Sequence, residues 1–179
     1  MKIRGQFGFG WLVAMVLAAC DPEAGDADAT LSPPDARISL HQVRTGAPTR
    51  EGLAFIGAVA RIHGDADAAA DLDTRAAALR RGLSLPVPAN LPEAEVLRLE
   101  LATRLSETMG QRPEGVAVAL DLLEPMLVPE NSLPLDRASA RALVTLGDLA
   151  MTANDDALAA GSYARAIRVM SALRKELEQ

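Results

Sequence analysis

Leu143 to Ile167 reads LVTLGDLAMTANDDALAAGSYARAI. Leu143, Leu146, Gly147 and Ala150 fall at i, i+3, i+4 and i+7, the spacing of one helical face. Asn154 follows, a residue type that tolerates the left-handed conformation ending a helix. The carboxylates of NDDA, Asn154 to Ala157, suit the free N–H groups and positive dipole end of the next helix. The segment predicts a helical hairpin over 136–153 and 156–178, with Asp136 as N-cap. The terminal MSALRKELEQ reads as a coiled-coil handle or, more simply, as the polar cap a terminal repeat needs for solubility.

The same offsets recur upstream. Leu53, Ile56, Gly57 and Ala60 occupy them ninety residues earlier, and Arg98, Leu101, Ala102 and Leu105 halfway between, so three units recur with a period of 45. Gly64 stands where Asn154 stands, and Gly110 takes that place in the middle unit, so both predict turns. The predicted helices are 50–63 and 66–82 in the first unit, and 91–109 and 114–124 in the second. LSLPVPANLPE (Leu83 to Glu93) and LVPENSLPLD (Leu127 to Asp136) are proline-rich connectors that stop helices. Asn90 with Glu93 predicts a capping box.

The third unit resembles a tetratricopeptide repeat, with Leu143, Leu146, Gly147 and Ala150 on one helix and Ala159, Tyr163 and Ala166 on the other. The first unit matches at Leu53, Ile56, Gly57, Ala60, Ala69 and Ala76, with Asp73 in place of the aromatic. The resemblance implies an all-α domain of about three stacked hairpins over residues 49–179, with Tyr163 filling the gap between neighbouring units; an irregular helical bundle is the alternative. It also implies a partner-binding groove on the inner face of the first helices. At matching positions the groove comprises Arg141, Val144, Asp148 and Met151, then Val96, Leu99, Thr103 and Ser106, then Glu51, Ala54, Ala58 and Arg61. Leu99 and Val96 would either floor this groove or pack beneath the connectors.

Composition agrees with helices. Hydrophobic residues make up 49% of the chain and aromatics 3%, so the core must be built from Ala, Leu and Val. The formal net charge is −6, which offers no basic patch to nucleic acid. A single cysteine excludes an intramolecular disulfide.

Residues 1–19 have the parts of an export signal: Lys2 and Arg4, then thirteen uncharged residues from Phe7 to Ala19. A spanning helix needs roughly 20. Leu17-Ala18-Ala19-Cys20 resembles the lipobox of bacterial lipoproteins, which implies cleavage before Cys20 and acylation of its thiol. Without the leader the chain carries 16 basic residues against 24 acidic, a net charge of −8. Residues 20–48 read as a lipidated cysteine and an acidic tether, within which Arg37 to Val43 (RISLHQV) could form a strand or a helical turn.

Catalytic signals are weak. The chain has two histidines, His41 in the tether and His63 beside Gly64. GDADAAADLD, Gly64 to Asp73, gathers four aspartates but lacks the glycine and glutamate of a calcium loop. Glu93, Glu95, Glu100 and Glu107 read as exposed helix charges. No nucleophile–base constellation, metal set or cofactor motif is legible. The expectation is a non-catalytic adaptor lipoprotein facing the periplasm, binding another envelope protein through a helical groove. A small-ligand or calcium-binding lipoprotein is the alternative.

Overall fold

A computed structural model describes residues 37–43, 47, 49–89 and 91–178. The leader, Cys20 and most of the predicted tether lie outside the described residues.

The domain is mostly helical. In chain order it comprises β1 (Ser39–His41), α1 (Arg50–Ala68), α2 (Leu72–Leu83), α3 (Ala94–Gly110), α4 (Val116–Leu123), β2 (Ser132–Pro134), α5 (Arg137–Thr152) and α6 (Asp156–Leu177). Single 3₁₀ turns at Pro113–Gly115 and Glu124–Met126 flank α4. α1 packs on α2, and α3 packs on both. α5 packs on α3 and α4, and α6 packs on α5. No helix among the described residues is long and apolar enough to cross a membrane.

Side-chain caps set the helix starts. Thr49 accepts from Gly52 N–H at 3.0 Å. Asp71 accepts from Thr74 N–H at 2.8 Å, Asp136 from Ala138 N–H at 2.8 Å, and Asp155 from Leu158 N–H at 3.0 Å. Each cap satisfies one donor that the helix cannot satisfy itself. Asn154 takes φ 61°, the left-handed turn expected of it.

The first hairpin departs from the predicted boundaries. Gly64 lies inside α1, which continues to Ala68, and no described glycine has positive φ. The break falls where Asp71 caps α2, because a carboxylate on two donors of Thr74 fixes a helix start that a glycine alone does not impose. Gly110 is likewise helical, ending α3. It serves close approach, since a Cβ there would lie 2.5 Å from Leu149 Cδ2. Of the expected capping box, Glu93 occupies the cap position of α3 itself and makes no side-chain cap bond. Asn90 lies outside the described residues.

The buried stripe of α1 is Phe55, Val59, Ile62 and Ala66, while Leu53 is 57% exposed. The expected face of Leu53, Ile56, Gly57 and Ala60 is therefore rotated largely away from the core. Burying Phe55, Val59 and Ile62 removes more apolar area from water than burying two small residues. These side chains join Leu79, Leu101 and Leu105 in one cluster. A second cluster gathers Leu99, Leu123, Leu127, Leu133, Leu143, Leu146 and Val169.

α3 contributes to both clusters, and its buried residues run from Leu99 to Thr108 on several sides. A helix covered all round has no single apolar stripe to display. Its buried hydroxyls donate to carbonyls, Thr103 to Leu99 O at 2.7 Å and Ser106 to Ala119 O at 3.2 Å.

Residues 37–43 belong to the folded domain, contrary to a tether reaching residue 48. β1 pairs in parallel with β2, Ser39 opposite Ser132 and His41 opposite Pro134. Ile38 and Leu40 pack against the second cluster, which gives this otherwise polar stretch something to bury.

Candidate functional site

Only some of the positions expected to line a groove are exposed. On α5, Arg141, Val144, Asp148 and Met151 are all exposed, as a helical face at that spacing requires. On α1, Glu51, Ala54 and Arg61 are exposed and Ala58 is half-buried. On α3 the expectation fails. Leu99 is 2% exposed, Thr103 1% and Ser106 0%, so none of them floors a groove. Leu99 packs with Leu127 and Leu133 of the connector and with Leu143. Val96 is half-buried and borders a cleft with Val43, Leu97 and Leu135.

Charged side chains link the first helices of the hairpins. Arg104 of α3 contacts His63 Nδ1 at 2.6 Å and pairs with Asp67, both on α1. Glu107 of α3 takes a two-pronged bond from Arg141 of α5, at 2.9 and 2.6 Å, and a third bond from Thr145 at 3.1 Å. The glutamate holds the Arg141 guanidinium above its ordinary range. Burial pushes the His63 imidazole down, Glu100 and Asp67 oppose that, and Arg104 and Arg141 reinforce it. His63 Nε2 is buried without a hydrogen-bond partner. Sequence reasoning missed this ladder. The signal available was the i, i+4, i+7 spacing of Glu100, Arg104 and Glu107 on one helix.

The acidic run is also engaged. Asp65 faces Arg81 at 3.6 Å, Asp67 faces Arg104, and Asp73 receives a fork from Arg112 at 2.7 and 3.2 Å. Asp71 is the α2 cap, and the Thr74 backbone bond lowers its carboxyl below the usual range. Among the described residues, no cluster of three or more His, Cys, Asp or Glu side chains could hold a metal ion.

His41 lies between two partners. Its Nδ1 is 3.0 Å from Ser132 Oγ and its Nε2 is 3.2 Å from Glu95 Oε2. The order serine, imidazole, carboxylate is that of a nucleophilic relay. Here the serine is exposed at a sheet edge. The contacts fasten β1 to β2 and to α3.

No protein-family model matches the chain, and neither does any curated protein or solved structure.

Two open clefts carry apolar side chains. One, about 530 Å³, lies between α1 and the first connector, lined by Glu51, Ala54, Phe55, Ala58, Pro86 and Val87. The other, about 600 Å³, runs along α5 and α6. Such surfaces, with few polar groups, suit the side chains of a docked peptide or helix. Arg165 closes a different gap. Although buried, it donates to Leu127 O and reaches Val128 O at 3.5 Å, tying α6 to the second connector.

Proposed function

We propose that this protein is a lipid-anchored adaptor of the bacterial cell envelope, held at a membrane through Cys20 and acting without catalysis. Its helices form a tetratricopeptide-like stack of three hairpins, a reading supported by the order in which the helices pack. Its task is to hold another envelope protein during assembly of a secretion, pilus or outer-membrane complex.

One observation carries the binding reading. The cleft between α1 and the first connector places Ala54, Phe55 and Ala58 opposite Pro86, Val87 and Pro88, with Glu51 as the only charged group among the described residues of its lining. Three of the groove positions expected on α1 fall in this lining. The apolar walls fit an apolar partner segment, and Glu51 fits a basic residue beside it. The calcium alternative gains no support from Asp65, Asp67 and Asp73, which each face an arginine.

Photo-crosslinking in intact cells tests the adaptor reading. A crosslinking side chain at Ala54 or Ala58 should give one discrete protein adduct, absent when the probe sits at exposed Arg168. Equal labelling at all three positions would overturn the cleft as a docking site. Palmitate labelling tests the anchor separately. Label should enter the wild-type protein and vanish in Cys20→Ser, and a wild-type protein without label would refute the lipidation.

A further inference from the structure

Charge is unevenly spread along the chain. Residues 113–136 carry five carboxylates and no lysine, arginine or histidine, and residues 142–164 carry three carboxylates and none of those bases. Folding brings these two acidic stretches together. Leu127 and Val128 of the second connector line a further cleft with Leu146 of α5 and Leu158 of α6, about 440 Å³ in volume. Its floor is apolar: Leu127 and Leu146 are buried, and Val128 and Leu158 are half-buried.

The rim is negative. Among the described residues of the lining, the carboxylates of Glu124, Glu130 and Asp155 stand against one guanidinium, that of Arg165. All three acids are exposed. Arg165 is 4% exposed and donates to the carbonyls of Leu127 and Val128, so it braces the floor and leaves the rim to the acids. Among the described residues, Glu124 and Glu130 have no cation within ion-pair distance, whereas Asp65, Asp67 and Asp73 each have an arginine. The arginines that flank the two acidic stretches are engaged or lie elsewhere. Arg112 is paired with Asp73 and Arg141 with Glu107, and Arg137 lines the α5–α6 groove. Arg168, exposed one turn beyond Arg165, is not in the cleft's lining.

Like charges gathered without counter-charges repel one another, and a cationic partner relieves that repulsion while being steered to the site. Charge alone would attract any polycation. The apolar floor adds a second requirement, because it gains only from a side chain that leaves water.

We infer that this cleft docks a segment of another protein in which one or two large apolar side chains are flanked by lysine or arginine. The apolar side chains enter between Leu127, Leu146 and Leu158, and the flanking cations meet Glu124, Glu130 and Asp155. Acidic segments and nucleic acid are turned away by the same rim. The site lies on the second connector, apart from the cleft beside the first, so this inference does not rest on the adaptor reading.

Fluorescence polarisation tests it, on the full-length protein in non-ionic detergent. The probes are labelled peptides of the pattern Lys-Arg-X-X-Arg-Lys, with X as Leu, Ile, Met or Phe. At least one should bind saturably, and the peptide with X as Ser, equal in charge, should bind about ten-fold more weakly. Glu124→Gln with Glu130→Gln should weaken the best peptide about ten-fold. Glu51→Gln with Glu114→Gln removes the same charge outside this cleft and should leave binding unchanged. Absence of saturable binding by every apolar peptide would overturn the inference. So would equal binding of the Ser peptide, or equal weakening by the two variant pairs, since either shows general attraction to an acidic chain. A loss confined to the Glu51 pair would move the binding to another site and refute this one. If the Glu124 and Glu130 variant loses its helical circular dichroism, Ala157→Trp fills the cleft from an exposed position in its lining. That variant should block the peptide, and retained binding would refute the site.

Discussion

Tyr163 lies against the bare α-carbon of Gly147: a Cβ built there would sit 2.6 Å from the ring's Cε1 and 2.8 Å from Cδ1 and Cζ. The ring therefore packs within its own hairpin, α5 on α6, and does not bridge neighbouring units as the repeat resemblance implied. Its hydroxyl donates to Asp148 Oδ1 at 2.6 Å, which fixes the ring and raises the phenol above its ordinary range. Gly147→Ala must displace a tethered ring and should destabilise by about 1–3 kcal/mol. Gly57→Ala meets open space in a helix and should stabilise by about 0.4–1 kcal/mol. Urea denaturation midpoints of the two variants should move in opposite directions.

Leu99 separates a groove residue from a core residue. At 2% exposure it belongs to the core, so Leu99→Asp would bury an unpaired charge and should abolish cooperative unfolding. Leu99→Ala should cost about 2–5 kcal/mol by leaving a cavity. Circular dichroism with urea titration reads both. A folded Leu99→Asp protein would restore the groove.

His63 should make the fold acid-sensitive. Burial lowers its imidazole below the ordinary 6.5. The unfolded chain then takes up a proton at a higher pH than the folded one. Stability linked to this group is present above the unfolded value and is lost as pH falls through the folded value. Other carboxylates titrate too, so the readout is a difference. Between pH about 7.5 and about 5, wild type should lose more stability than His63→Gln, which cannot take up the proton. Parallel losses would show that His63 does not contribute.

Asp136 starts α5 by accepting from Ala138 N–H at 2.8 Å, immediately after β2. Asp136→Ala should cost about 1 kcal/mol, and Asp136→Ser should recover most of it. Thermal melts compare the two. An exposed pair such as Asp65 with Arg81, at 3.6 Å, should contribute much less, so Asp65→Ala should lie within about 0.5 kcal/mol of wild type.

Strong local signals were legible. The α5–α6 hairpin, its turn at Asn154 and its caps at Asp136 and Asp155 follow from neighbouring residues alone. Side-chain oxygens on nearby N–H groups and one left-handed residue need no distant partner. Exposure at the expected groove positions was legible on α5 and partly on α1. It failed on α3, because a central helix buries residues on several sides and an apolar residue there looks the same whether it faces a groove or a neighbouring helix.

Sequence alone settled the helical class, the connectors and the last hairpin, because alanine-rich periodicity, proline and capping act within a few residues. Only tertiary packing set which side of α1 is buried, since two rival apolar arcs were present and the arc holding Phe55, Val59 and Ile62 hides more surface. Only tertiary packing joined β1 to β2, with Ser39 opposite Ser132, and the Glu107 ladder to Arg141. Such pairings form between groups far apart in the chain, after the helices have brought them together.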